Sequence, residues 1–225
     1  TAPPWPPPAT TTVRLWAAAT GQLIATLTGH TGGVLAVAFS PDSTTLATAT
    51  NDRTARLWDP ATGQPTATLT SHTDWVRAVA FSPDSTTLAT ASDDRTARLW
   101  ETATGQPTAT LTGHTDVVTA VAFSPDSTTL ATASDDRTVR LWETATGRHT
   151  ATLTGHDSEV EAGAFSPDGT TLATASADRT VRLWDPATGQ LRSVIPLRSH
   201  AFSLAWSGPL LAVGAEAGAA VFRIR

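Results

Sequence analysis

The sequence predicts an all-β chain built of repeated four-stranded antiparallel sheets, and three observations predict it. Leu-Trp pairs recur with their indoles at Trp16, Trp58, Trp100, Trp142 and Trp184, each step being 42 residues. Thr, Ala, Val and Leu dominate between Gly and Pro punctuation, a composition of short strands and turns. Each unit also divides into four short apolar runs separated by polar turns, too short for helices and of the length strands take.

The unit 113–154 shows the elements in order. Val117 to Phe123 is an apolar run that reads as a first strand buried on both faces. Ser124-Pro125-Asp126-Ser127 is a turn, since Pro presets φ and Asp or Ser bonds its own backbone. Leu130 to Ser134 is a second strand, Asp135-Asp136-Arg137 a tight turn, and Thr138 to Trp142 a third strand. Ala145-Thr146-Gly147 turns the chain into a fourth strand, His149 to Leu153. One such sheet cannot bury its faces alone, so the units must stack. Phe39, Phe81, Phe123, Phe165 and Trp206 end the first strands and are expected to fill the space between sheets.

The copies are close to one another. Segments 71–112 and 113–154 differ at only six of 42 positions, which indicates recent duplication. The count of units is uneven. A partial unit covers 12–27, complete units cover 34–70, 76–112, 118–154 and 160–197, and a degenerate one covers 201–225. Residues 1–11 stand apart: five of the first eight are Pro, which favours polyproline II and reads as a linker.

Composition excludes several classes. The 225 residues carry a net charge of -5, every one of the 15 basic residues is Arg, and Cys is absent. Disulfides, thiolate metal sites and cysteine nucleophiles are therefore excluded. The acidic balance argues against nucleic acid or an anionic membrane as a partner. No apolar run approaches the length of a membrane helix, and the expected location is the cytoplasm. No methionine occurs, so the chain is expected to be a piece of a longer polypeptide.

One constellation looks like chemistry. His114, Ser134 and Asp136 are the ingredients of nucleophilic hydrolysis, and they recur as His30, Thr50, Asp52; His72, Ser92, Asp94; and His156, Ser176, Asp178. An enzyme needs one site and has no reason for four, and no Gly-x-Ser-x-Gly elbow accompanies any of them. Repetition favours a structural role: the hydroxyl satisfies a buried indole N–H of Trp58, Trp100, Trp142 or Trp184, the imidazole relays, and the Asp anchors the far end. Histidines 42 residues apart lack a second ligand at metal spacing, the Asp-rich turns lack the calcium-loop pattern, and no cofactor is expected. Arg95 and Arg137 follow those turns and are expected to neutralise them.

Gly113-His114, Ser134, Asp136 and Leu141-Trp142, at 42-residue spacing, resemble a WD40 repeat. Trp-Glu at Trp100 and Trp142, and Ser-His at His72, are mild departures. The resemblance implies a β-propeller of about five four-stranded blades, either a closed ring, an open one or a truncated piece of a larger ring. It also implies that the N-terminal fourth strand, Leu23 to Leu27, completes the last blade, and that Ala215, Ala217 and Arg223 stand where Ser, Asp and Trp would sit. In that family a hydrogen-bond chain of Trp, Ser or Thr, His and Asp ties each blade.

The copies disagree mainly at Gly33, Leu35 and Asn51; Trp75, Arg77 and Asp93; Val117, Thr119 and Asp135; and Glu159, Glu161 and Ala177. In the family resembled these positions meet on one rim and contact partners. The implied function is a non-enzymatic scaffold for other proteins or peptides, part of a multidomain signalling or regulatory protein. Two alternatives stay open at this point: an enzyme using a channel or rim site, and a decaying array without a selected partner. An unpaired flank would also permit self-association edge to edge.

Overall fold

The computed structural model describes residues 11–224, so the expected linker lies almost wholly outside the described residues. Strands form where the apolar runs stand. A hairpin of β1 (Val13–Trp16) and β2 (Leu23–Leu27) comes first. Four complete sheets follow. They are β3 (Val34–Phe39), β4 (Leu46–Thr50), β5 (Ala55–Trp58) and β6 (Pro65–Leu69); then β7 (Val76–Phe81), β8 (Thr87–Ser92), β9 (Ala97–Glu101) and β10 (Pro107–Leu111). The third complete sheet holds β11 (Val118–Phe123), β12 (Thr129–Ser134), β13 (Val139–Glu143) and β14 (His149–Leu153). The fourth holds β15 (Val160–Phe165), β16 (Leu172–Ser176), β17 (Thr180–Trp184) and β18 (Leu191–Pro196). A three-stranded sheet of β19 (Ala201–Ser207), β20 (Leu210–Ala215) and β21 (Gly218–Arg223) ends the chain. Every pairing is antiparallel between sequential strands, as short turns require.

Two turns per unit impose backbone conformations that the residue types do not favour. Arg53, Arg95, Arg137 and Arg179 all sit at positive φ, between 66° and 70°, immediately after the Asp of the second turn. Arg95 and Arg137 therefore serve the turn through their backbone, and among the described residues neither makes an ion pair with it, which corrects the expectation of neutralisation; Asp93 is paired instead by Arg77. The earlier turn places Ser43, Ser85 and Ser127 at positive φ, and Gly169 takes the equivalent place in the fourth complete sheet.

Stacking gives each sheet two unlike faces. Ala89, Ala91, Ala97, Leu99 and Leu111 of one sheet meet Val118, Leu130 and Trp142 of the next. The same joint of small residues against large ones is repeated on either side. Trp58, Trp100, Trp142 and Trp184 are buried in these joints, and the second strands β4, β8, β12 and β16 are buried almost throughout. The first strands are only half-buried, which corrects the expectation that both of their faces are covered. They pack against one another from sheet to sheet, as β3 does on β7, while one side stays open.

The assembly is an open β-propeller. Leu23–Leu27 pairs with β1 and not with the last sheet, which corrects the expectation of a closing strand. The reason is local: Leu15 and Leu27 of the hairpin are buried on Leu46 and Trp58, a full joint with the first complete sheet. Because the hairpin supplies only the outer two strands, none of the described residues covers the inner half of that sheet. Phe39 is consequently 57% exposed while its counterpart Phe81 is 8% exposed. Phe165 is buried like Phe81, and Phe123 and Trp206 are half-buried.

Candidate functional site

The polar residues of each complete sheet form one chain of hydrogen bonds. In the third, the Trp142 Nε1–H donates to Thr132 Oγ1 at 2.9 Å, and Thr132 Oγ1 lies 2.8 Å from His114 Nε2. His114 Nδ1 lies 2.8 Å from Asp136 Oδ2, which also accepts the Thr115 backbone N–H at 3.0 Å. The other Asp136 oxygen accepts from the Thr138 backbone N–H and hydroxyl. The loop before the first strand is thereby tied to the turn after the second. Equivalent chains run through Trp58, Thr48, His30 and Asp52; Trp100, Thr90, His72 and Asp94; and Trp184, Thr174, His156 and Asp178.

The hydroxyl in the chain is Thr48, Thr90, Thr132 and Thr174, not Thr50, Ser92, Ser134 and Ser176. This corrects the sequence reading by two residues. Trp142 stands opposite Leu130, so its indole reaches the diagonal neighbour Thr132. Ser134 faces the same way but lies two residues further along, about 6.6 Å at strand spacing. It serves the turn, accepting the Asp136 N–H and donating to the Asp116 carbonyl, as Ser92 and Ser176 do in their units. Thr50 departs slightly by donating to Asp52.

Every polar group of this chain is satisfied by one arrangement. Asp136 accepts, so the Nδ1 of His114 carries the proton and donates; Nε2 then accepts from the Thr132 hydroxyl, which accepts from the indole. Burial holds His30, His114 and His156 below the ordinary histidine range, favouring that neutral form. Desolvation opposes ionisation of Asp136 and Asp178, yet the hydrogen bonds they accept bring both down to about 2. Thr132, Ser134, Thr90 and Ser92 are wholly inaccessible to solvent, so a substrate carbonyl does not reach them. The last sheet has no such chain. Val213, Ala215 and Ala217 occupy the hydroxyl, Ser and Asp places, and pairing of Leu211 with Phe222 puts Phe222, not Arg223, where the Trp stands elsewhere.

A second cluster lies at the loop ends. In each unit the N–H of the residue before the relay Asp donates to a carbonyl just before the first strand: Asn51 to Gly33, Asp93 to Trp75, Asp135 to Val117 and Ala177 to Glu159, at 3.0–3.1 Å. These bonds bring the variable positions together on one rim. Leu35, Arg77, Val117, Thr119, Asp135 and Glu161 line a single cavity there of about 390 Å³. Asn51, Trp75, Asp93 and Glu159 do not line it; Trp75, Asp93 and Glu159 flank it through their unit neighbours.

Its walls are electrostatically unlike. Arg77 makes a two-pronged ion pair with Asp93, at 2.6 and 2.8 Å, and its guanidinium lies 5.2 Å from the centre of the Trp75 ring. Trp75 itself is 42% exposed. Asp135 and Glu161 face the same cavity; burial, then the carboxylates of Glu161, Asp116 and Glu159, push the Asp135 carboxyl up to about 6. Thr119 donates to the Val160 carbonyl at 2.6 Å, stitching two sheets together beneath the rim. Asp116 also belongs to this acidic sector and was not among the variable positions named from the sequence, although its equivalents Gly32, Asp74 and Ser158 show that its position varies too.

Among the described residues no group of three or more His, Asp or Glu side chains could hold a metal ion. No helix of the structure is long and apolar enough to cross a membrane. No curated protein matches the chain. The family model for the WD domain, G-beta repeat, matches it four times in tandem, over residues 21–59, 63–101, 105–143 and 147–185. With those matches over more than half of its length, and with a Trp-Thr-His-Asp chain inside each complete sheet, the protein belongs to the WD40-repeat family, whose members serve in general as protein-interaction scaffolds.

Proposed function

We propose that this chain is a non-enzymatic interaction scaffold that binds a protein or peptide on the rim around Arg77, Asp135 and Glu161. One observation carries the reading: six residues, from three repeat positions that vary among the four units, converge on one cavity. The remainder of the polar machinery is buried and repeated, which supports a structural use and leaves no unique set of reactive groups. The cavity holds two carboxylates, and the guanidinium beside them is already paired by Asp93. A cationic side chain of the partner is therefore the fitting guest, with the exposed Trp75 face as an aromatic anchor next to it.

A peptide array probed with labelled chain tests this. Wild type should select spots containing Arg or Lys, Asp135→Asn/Glu161→Gln should lose about tenfold in affinity, and Trp75→Ala/Arg77→Ala should lose binding as well. Identical binding patterns for all three folded chains would overturn the proposal.

A further inference from the structure

Resting on the rim reading above, we propose that the cationic guest is an arginine of the partner protein, its guanidinium held two-pronged by Asp135 as Asp93 holds Arg77 one sheet earlier. The molecule carries the template for this pair. Segments 71–112 and 113–154 differ at six of 42 positions, and two of the six replace Trp75 by Val117 and Arg77 by Thr119. In the second complete sheet Arg77 Nε and Nη2 donate to the two oxygens of Asp93, at 2.6 and 2.8 Å, beside the Trp75 ring.

The third sheet keeps the carboxylate and loses the arginine. Asp135 stands where Asp93 does, and the same backbone aims it. Each N–H donates to the carbonyl before the first strand at 3.0 Å, Asp93 to Trp75 and Asp135 to Val117. The strands β7 and β11 carry the same irregularity, between Val76 and Ala78 and between Val118 and Ala120. Thr119 does not stand in for the arginine, because its hydroxyl is spent on the Val160 carbonyl at 2.6 Å. Among the described residues Asp135 makes no ion pair. The other units differ: Asn51 replaces the carboxylate in the first and Ala177 in the fourth, so the third alone has the acid without its arginine.

The cavity of about 390 Å³ lies at these same positions. Val117, Thr119 and Asp135, the counterparts of Trp75, Arg77 and Asp93, all line it. Glu161 lines it too; it occupies the place of Arg77 in the fourth sheet and brings a second carboxylate to the guest. Burial, then Glu161, Asp116 and Glu159, raise the Asp135 carboxyl to about 6 against the opposing pull of Arg77, as suits an acid without a counter-ion of its own. A guanidinium fits better than an ammonium. Its planar fork meets both carboxylate oxygens, as Arg77 does on Asp93, whereas an ammonium is a point charge.

The probes are three capped peptides, Gly-Ser-Arg-Ser-Gly and the same sequence with Lys or citrulline at the centre, titrated into ¹⁵N-labelled chain at pH 7.5. The Arg peptide should shift the amides of 117–119, 135 and 161 saturably and bind about tenfold more tightly than the Lys peptide, while citrulline should not saturate. Asp135→Asn should lose about tenfold in affinity for the Arg peptide. Val117→Trp/Thr119→Arg, which writes the rim of the second sheet into the third, should lose as much because the chain then supplies its own guanidinium. If that double variant does not fold, Asp135→Asn and the three peptides decide. Equal affinity for Arg and Lys peptides would overturn the choice of arginine and leave a cation-binding rim standing. No saturable binding of either would overturn both. Self-association that Asp135→Asn abolishes would also overturn the proposal, because the arginine then comes from a second copy.

Discussion

At the scale of residues, the hydrogen-bond chain is a problem of matching donors to acceptors. Among the described residues Thr132 is the only hydroxyl that touches both the Trp142 indole and the His114 ring, so Thr132→Val strands a donor and an acceptor together. We expect a loss of about 2–4 kcal/mol in urea unfolding, against about 1 kcal/mol for Ser134→Ala, which removes turn bonds whose partners lie nearer water. Equal losses would show the indole bond to be unimportant. Acid tests the same chain. With folded pKa values depressed, His30, His114 and His156 stabilise the fold above about pH 6.5; below it only the unfolded chain takes up their protons, so stability falls. Asp136 and Asp178 add to that loss only as the pH drops from about 4 toward 2. Asp135 acts oppositely: raised to about 6, it is strained when ionised and is relieved as the pH falls through that value. Melting temperature should therefore decline from pH 7 to 5, and more steeply in Asp135→Asn. The residue types of the chain were legible in the sequence from recurrence alone. Which hydroxyl closes it was not, because both candidates lie on one face of β12 and only the cross-strand register decides between them.

At the scale of elements, the strands stand where the apolar runs predicted and their roles were partly misread. The run Val117 to Phe123 looks the most hydrophobic, yet the strand buried almost throughout is the Ala- and Thr-rich β12. Burial here follows position in the stack, since the second strand has a neighbour sheet on both faces. Hydropathy cannot report position. The same logic separates two phenylalanines that sequence treats alike. Phe81→Ala empties a closed joint and should cost about 3–5 kcal/mol, whereas Phe39→Ala, on an uncovered face, should cost under about 1 kcal/mol. Denaturant midpoints of the two variants check this directly.

At the scale of the whole molecule, an open stack behaves as a one-dimensional array in which interior units have two joints and end units one. Hydrogen exchange should be fastest in β1–β2 and β19–β21 and slowest in β8 and β12. Uniform protection across all sheets would mean that the ends are held by contacts beyond these joints. The periodicity revealed the number of complete units, but not whether the ring closes. Closure depends on which sheet the hairpin prefers, and Leu15 and Leu27 give it a buried seat on its sequence neighbour.

Each joint sets large side chains on one sheet against alanines on the next, always in the same direction along the chain. A stack made of one directional contact has no length written into it. Unequal crossover between segments as alike as 71–112 and 113–154 would delete or insert a whole sheet, and the residues on both sides of the seam would meet the partners they already had. Gene duplication can thus lengthen this protein without passing through a misfolded ancestor.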